Sequence, residues 1–136
     1  MINRFVFYGI IGWCIEVIWT GLASLLRGDL RLVSRTYLWM FAIYGLAVFL
    51  EPLHERVRQY SWMVRGTVWM VVIFFIEYTT GYILDLVIGA CPWNYARDAS
   101  LATFRGYIRL DYAPAWFAAG LAFEKIHDYL KRIGIR

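Results

Sequence analysis

Three carboxylates interrupt stretches that are otherwise apolar: Glu16 within residues 5–26, and Glu77 and Asp85 within residues 66–90. An acid at mid-bilayer costs about 2.5 kcal/mol or more on insertion scales, so such a group turns toward protein or water. Three chemistries satisfy it. The acid keeps a proton, it binds a cation or cationic headgroup, or an arginine folds in to pair with it. No Lys or Arg lies within the cores of the first three apolar stretches, which leaves Arg97, Arg105 and Arg109 as the pairing candidates. Glu51 and Glu124 stand nearer the ends of the second and fourth stretches.

The spacing predicts shared faces. Gly9, Gly12, Trp13, Glu16 and Thr20 follow steps of three or four, and Glu77, Gly81 and Asp85 are four apart, so each set lines one side of a helix. Small residues at these steps, with Ala115, Ala119 and Ala122 later in the chain, admit close neighbours. The expectation is a protected acidic interior of the kind that holds a substrate or ion, with Tyr44 beside it. A buried ion pair that fixes the helices is the structural alternative for either glutamate alone.

The elements that position these groups are membrane spans. The chain has 136 residues, of which 61% are hydrophobic and 18% charged, against about 45–50% and about 25% in soluble domains. A spanning helix needs roughly 20 mostly apolar residues, and four stretches read this way, at about 5–26, 36–53, 66–90 and 108–124. The expected fold is all-α, a single polytopic domain over 1–136 built as a four-transmembrane-helix bundle. Residues 91–110 carry Pro92, Trp93, Asn94, Tyr95, Phe104 and Tyr107 beside Arg97, Asp98, Arg105 and Arg109, a composition that suits a headgroup-level loop or lid between helices 3 and 4.

Net charge is +4. The basic residues fall between apolar stretches, so they read as topology rather than as a nucleic-acid surface. Arg4, Arg56, Arg58, Arg65, Lys125, Lys131, Arg132 and Arg136 fall on one side, and Arg27, Arg31, Arg35, Arg97, Arg105 and Arg109 on the other. That bias puts both termini in the cytoplasm, with a bacterial inner membrane as the expected host. The first segment imitates a signal peptide, but Glu16 breaks it and no Ala-x-Ala site follows, so it is expected to be retained.

Other chemistries lack support. His54 and His127 fall in linker and terminal positions without metal-ligand spacing, and Cys91 has no neighbouring Cys or His, so no metal is expected. Neither Gly-x-Ser-x-Gly, a phosphate-binding loop nor His-Glu-x-x-His occurs. No cofactor is expected, and any ATPase belongs to a separate chain.

Five motifs in order carry a family resemblance. They are Phe7-Tyr8-Gly9 with Gly12-Trp13 and Glu16, Leu38-Trp39-Met40-Phe41-Ala42-Ile43-Tyr44-Gly45, Glu77-Tyr78-Thr79-Thr80-Gly81-Tyr82-Ile83-Leu84, Ala90-Cys91-Pro92-Trp93-Asn94-Tyr95, and Arg105-Gly106-Tyr107-Ile108-Arg109-Leu110 continuing to Ala115-Trp116. Together they resemble the family described as Putative ABC-transporter type IV, which also takes in vertebrate multipass proteins called transmembrane protein 229. The resemblance implies a small polytopic protein with a glutamate in the first and third spans and a Trp-Asp-Tyr-like turn after the third, where this chain has Asn94. It also implies transport. The reading is a permease-like component whose Glu16, Glu77 and Asp85 face a cavity under a lid of Trp93, Tyr95 and Arg105, completed by a homodimer or partner subunit. A membrane-embedded enzyme acting on a lipid or isoprenoid, with Arg105 or Arg109 holding an anionic headgroup, stays open. So does a structural or assembly protein.

Overall fold

The computed structural model describes residues 1–97 and 103–135. Asp98, Arg136 and the side chain of Arg97, each invoked above, lie outside the described residues. The chain is mostly helical: α1 (Ile2–Leu26), α2 (Leu38–Gly45), α3 (Glu51–Val57), α4 (Trp62–Ile88) and α5 (Ala113–Arg132), with a short hairpin of β1 (Thr103–Phe104) and β2 (Ile108–Arg109) between α4 and α5.

α1 and α4 have 25 and 27 residues and mean hydropathies of 1.7 and 1.8. At 1.5 Å per residue they are about 37 and 40 Å long, enough to cross a hydrocarbon core of about 30 Å. Only 17% and 11% of their apolar windows are buried by the chain itself. A core helix of a soluble protein would be mostly covered, so these faces suit lipid. α4 stops at Gly89, whose φ of 74° is the left-handed conformation that closes a helix, with its N–H donating to the Asp85 carbonyl.

The other two expected spans differ from the reading at 36–53 and 108–124. The second is broken: residues 46–50 tighten into a 3₁₀ turn between α2 and α3. Pro52 supplies the reason, because it has no N–H to donate to Val48 and its ring crowds that carbonyl. The fourth begins later, at Ala113 with Pro114 in its first turn, and runs past Lys125 to Arg132. Its apolar part, Ala113 to Phe123, is about 16 Å long.

The chain divides into two compact units, one of residues 1–53 with the chain from Tyr129, the other His54–Asp128. In the first, the expected face of α1 is the one used. A Cβ on Gly9 would lie 2.7 Å from the Phe41 ring and one on Gly12 would lie 2.3 Å from Tyr44, so glycine alone lets α1 and α2 meet this closely. In the second, the close approaches of α4 and α5 fall at Gly66, against Phe117, and at Gly120, against Trp69. Ala119 and Ala122, expected at a helix contact, are exposed.

Candidate functional site

In the first unit, Glu16 is half-buried and accepts a hydrogen bond from Thr36 Oγ1 at 2.7 Å. One turn on, Thr20 Oγ1 donates to the Arg35 carbonyl at 3.1 Å and takes the Arg35 N–H. Trp13 donates its indole N–H to the Tyr37 carbonyl at 3.0 Å and packs on Phe41. Tyr44 covers Gly12 on the same face. The irregular chain before α2 is thus stitched to α1 along the row that carries the acid. Glu51 accepts from Arg4 and from the Tyr8 hydroxyl.

In the second unit the structure gathers Glu77, Asp85, Trp93, Tyr95 and Arg109 around the start of α5. Glu77 Oε1 accepts from the Tyr95 hydroxyl at 3.0 Å, and Oε2 from the Trp116 indole N–H at 3.2 Å. Two turns along α4, Asp85 accepts from the Tyr107 hydroxyl at 2.6 Å. That bond holds the Tyr107 phenol up to about 12, the neighbouring carboxylate opposing its ionisation. Gly81 lies between the two acids, where an added Cβ would sit 3.3–3.4 Å from Cys91, Tyr107 and Trp93. Cys91 is buried there, and burial pushes its thiol up.

The segment that packs on α4 is a built structure. Arg105 and Gly106 both have positive φ, 51° and 74°, and reverse the chain between β1 and β2 as a type I′ turn does. Tyr95 N–H then donates to the Gly106 carbonyl at 2.8 Å and Trp93 donates to the Tyr107 carbonyl at 3.2 Å. Asn94 uses its side-chain oxygen to accept the Ala96 N–H at 2.8 Å, an Asx turn. An aspartate would offer the same oxygen, so Asn94 is compatible with the Trp-Asp-Tyr-like turn that the resemblance implies.

Aromatic rings line this cluster. Tyr78 lies parallel to Tyr82 and packs against Phe104 and Tyr107, while Tyr112 lies edge-on between Tyr95 and Trp116. Two of the three candidate arginines, Arg105 and Arg109, do not pair with these acids. Arg109 stacks 4.4 Å above the Tyr112 ring and pairs with Asp111 at 2.6 Å, holding that carboxyl below its usual range. Arg105 is exposed at the turn. Among the described residues, Glu77 therefore takes its hydrogen bonds from neutral donors.

A second polar cluster escaped the sequence reading. His54, read from sequence as a linker residue, lies on α3 and His127, read as near the terminus, lies on α5; each is 2% exposed, with the rings 5.0 Å apart and edge-to-face. Glu124 is also buried and accepts from Trp69 Nε1 at 2.8 Å and from Arg65 Nε at 3.0 Å. Asp128 faces His54 and is bridged by Arg58. The available signal was helical spacing: Glu124, His127 and Asp128 stand at i, i+3 and i+4, one face of α5.

Compared with known proteins, residues 3–134 match the family described as Putative ABC-transporter type IV. No solved structure matches the chain.

Proposed function

The chain belongs to the Putative ABC-transporter type IV family, and from that premise we propose that it is the membrane-embedded, permease-like component of a transport system, with Glu77 as the group that meets a cationic substrate or coupling ion. One observation carries this reading: both Glu77 oxygens are held by the neutral donors Tyr95 and Trp116, on a helix whose apolar surface the chain leaves largely bare. A carboxylate in that setting is completed by a proton or a cation. The aromatic rings around it suit a cation as well, since their faces are electron-rich.

In this reading α1 and α4 are full crossings, and residues 38–57 and α5 are two shorter ones accommodated by local thinning or by partner packing. The result is a four-crossing bundle in a bacterial inner membrane with both termini cytoplasmic. Asp85 belongs to the same acidic path as Glu77, with Trp93, Tyr95, Arg105 and Arg109 in its cover, while Glu16, flanked by Trp13 and Tyr44, is a second acidic position on α1. Helices this few and short enclose little volume, so a second copy or a partner subunit completes the path, and a separate ATPase supplies any nucleotide hydrolysis.

The test is flux. The full-length protein, reconstituted in liposomes, is assayed with monovalent cations, small amines and labelled lipids, as wild type and as Glu77→Gln. Transport by the wild type that falls at least about tenfold in a folded Glu77→Gln, a loss of about 1.4 kcal/mol, supports the reading. Flux unchanged by Glu77→Gln overturns it, and a variant that loses only folding assigns Glu77 to the scaffold.

A further inference from the structure

The cluster at the polar end of α5 has the donor set of a transition-metal site. One potential ligand atom each from His54, His127 and Asp128 lies within 4.8 Å of the others. Two of these are placed more closely: His54 Nε2 and Asp128 Oδ1 are 3.3 Å apart. Two ligand atoms about 2.0–2.1 Å from one tetrahedral Zn²⁺ are separated by roughly that distance.

The far side of His54 fits the same role. Its Nδ1 is buried, makes no hydrogen bond, and lies 3.5 Å from Glu124 Oε1. A metal-bound imidazole typically turns its second nitrogen toward a carboxylate, which fixes the ring and strengthens the ligand. Glu124 is itself held by Arg65 and Trp69, so it is a fixed backstop. At the rim, Glu55 Oε1 stands 3.5 Å from His127 Nε2.

Arg58 shows that the site takes positive charge. Its guanidinium bridges both oxygens of Asp128, lies 2.9 Å from His54 Nε2, and is carried on a side chain 46% exposed. It can swing into solvent without leaving a buried cavity. We propose that His54, His127 and Asp128 bind a first-row divalent transition metal such as Zn²⁺, with Glu124 orienting His54 and Arg58 acting as the counter-cation that the metal displaces. Two imidazoles and one carboxylate select this class over Mg²⁺ or Ca²⁺, which take oxygen shells.

Metal binding at His54, His127 and Asp128 requires neither Glu77 nor any flux. Tag-free full-length protein in detergent, stripped with chelator, is titrated with Zn²⁺ by calorimetry and with Co²⁺ by visible absorption. The expected result is one ion per chain, weakened at least tenfold by His54→Gln and by Asp128→Asn, and tightened severalfold by Arg58→Gln. Arg58→Gln changes an exposed side chain, so it still reports if the histidine variant fails to fold. Absence of saturable binding, affinity untouched by the ligand substitutions, or weaker binding by Arg58→Gln would overturn the proposal.

Discussion

Glu77 and Glu124 belong to the same unit and each accepts an indole N–H, yet they are satisfied in opposite ways. Glu124 is 4% exposed and its second oxygen meets the guanidinium of Arg65. Glu77 is half-buried on an apolar helix, and its second oxygen meets the hydroxyl of Tyr95. A buried charge beside an opposite charge is a fixed structural element, costly to disturb from either side. A carboxylate held by neutral donors keeps its orientation but not its compensation, and it can exchange what completes it. On the proposed function, the difference separates a residue that holds helices together from one that meets an ion.

The largest expected effect comes from breaking the first arrangement. Glu124→Leu leaves Arg65 Nε and the Trp69 N–H without their acceptor and the Arg65 charge without its counter-ion. Removing one partner of a buried pair costs about 3–5 kcal/mol, and the lower end applies because the Arg65 side chain is 23% exposed. Thermal unfolding in detergent should fall accordingly, and a variant as stable as wild type would erase the contrast. Glu77→Gln comes next. One amide oxygen still accepts and only one neutral hydrogen bond is compromised, so the loss should stay near 1 kcal/mol. A penalty above that of Glu124→Leu would reverse the two roles.

The same contrast separates what was legible in the chain from what was not. Residues 5–26 and 66–90 correspond closely to α1 and α4, because an uninterrupted apolar run is its own signal. The acids on them were equally visible, being the exceptions within those runs. Residues 36–53 read as one span because hydropathy ignores what Pro52 does to the turn before it. The two-residue strands β1 and β2 are too short to show a period, and only Arg105-Gly106 marks their turn. Arg109 is one of the candidate partners for the acids by composition, but Asp111 and the Tyr112 face offer it a partner two and three residues away. His54 and His127 stayed hidden for a different reason: 72 residues separate them, and no local pattern brings α3 against α5.

Tyr107 sharpens the comparison on the side of the neutral donors. Its hydroxyl donates to Asp85, and the raised pKa of about 12 means that the folded chain favours the protonated phenol. This contribution is fully present below the ordinary tyrosine value of 10 and is lost as pH rises through about 12. Wild type should therefore be more stable than Tyr107→Phe by a margin that stays constant from neutral pH to about 10 and then closes. A margin that changes near neutral pH would show that something other than the phenol is titrating.

The smallest effect tests whether the turn over Glu77 needs a charge. Asn94 holds the turn through its side-chain oxygen, which accepts the Ala96 N–H beside the left-handed Gly106. Asn94→Asp retains that oxygen at an exposed position and should change stability by less than about 0.5 kcal/mol, with transport unaltered. Asn94→Ala removes the acceptor, loosening the segment that delivers Tyr95 to Glu77, and should cost about 1 kcal/mol. If Asn94→Asp instead altered flux while Asn94→Ala did not, the turn would act on the site through charge rather than shape. Charge brought by the turn would then bear on Glu77, and its contrast with Glu124 would weaken.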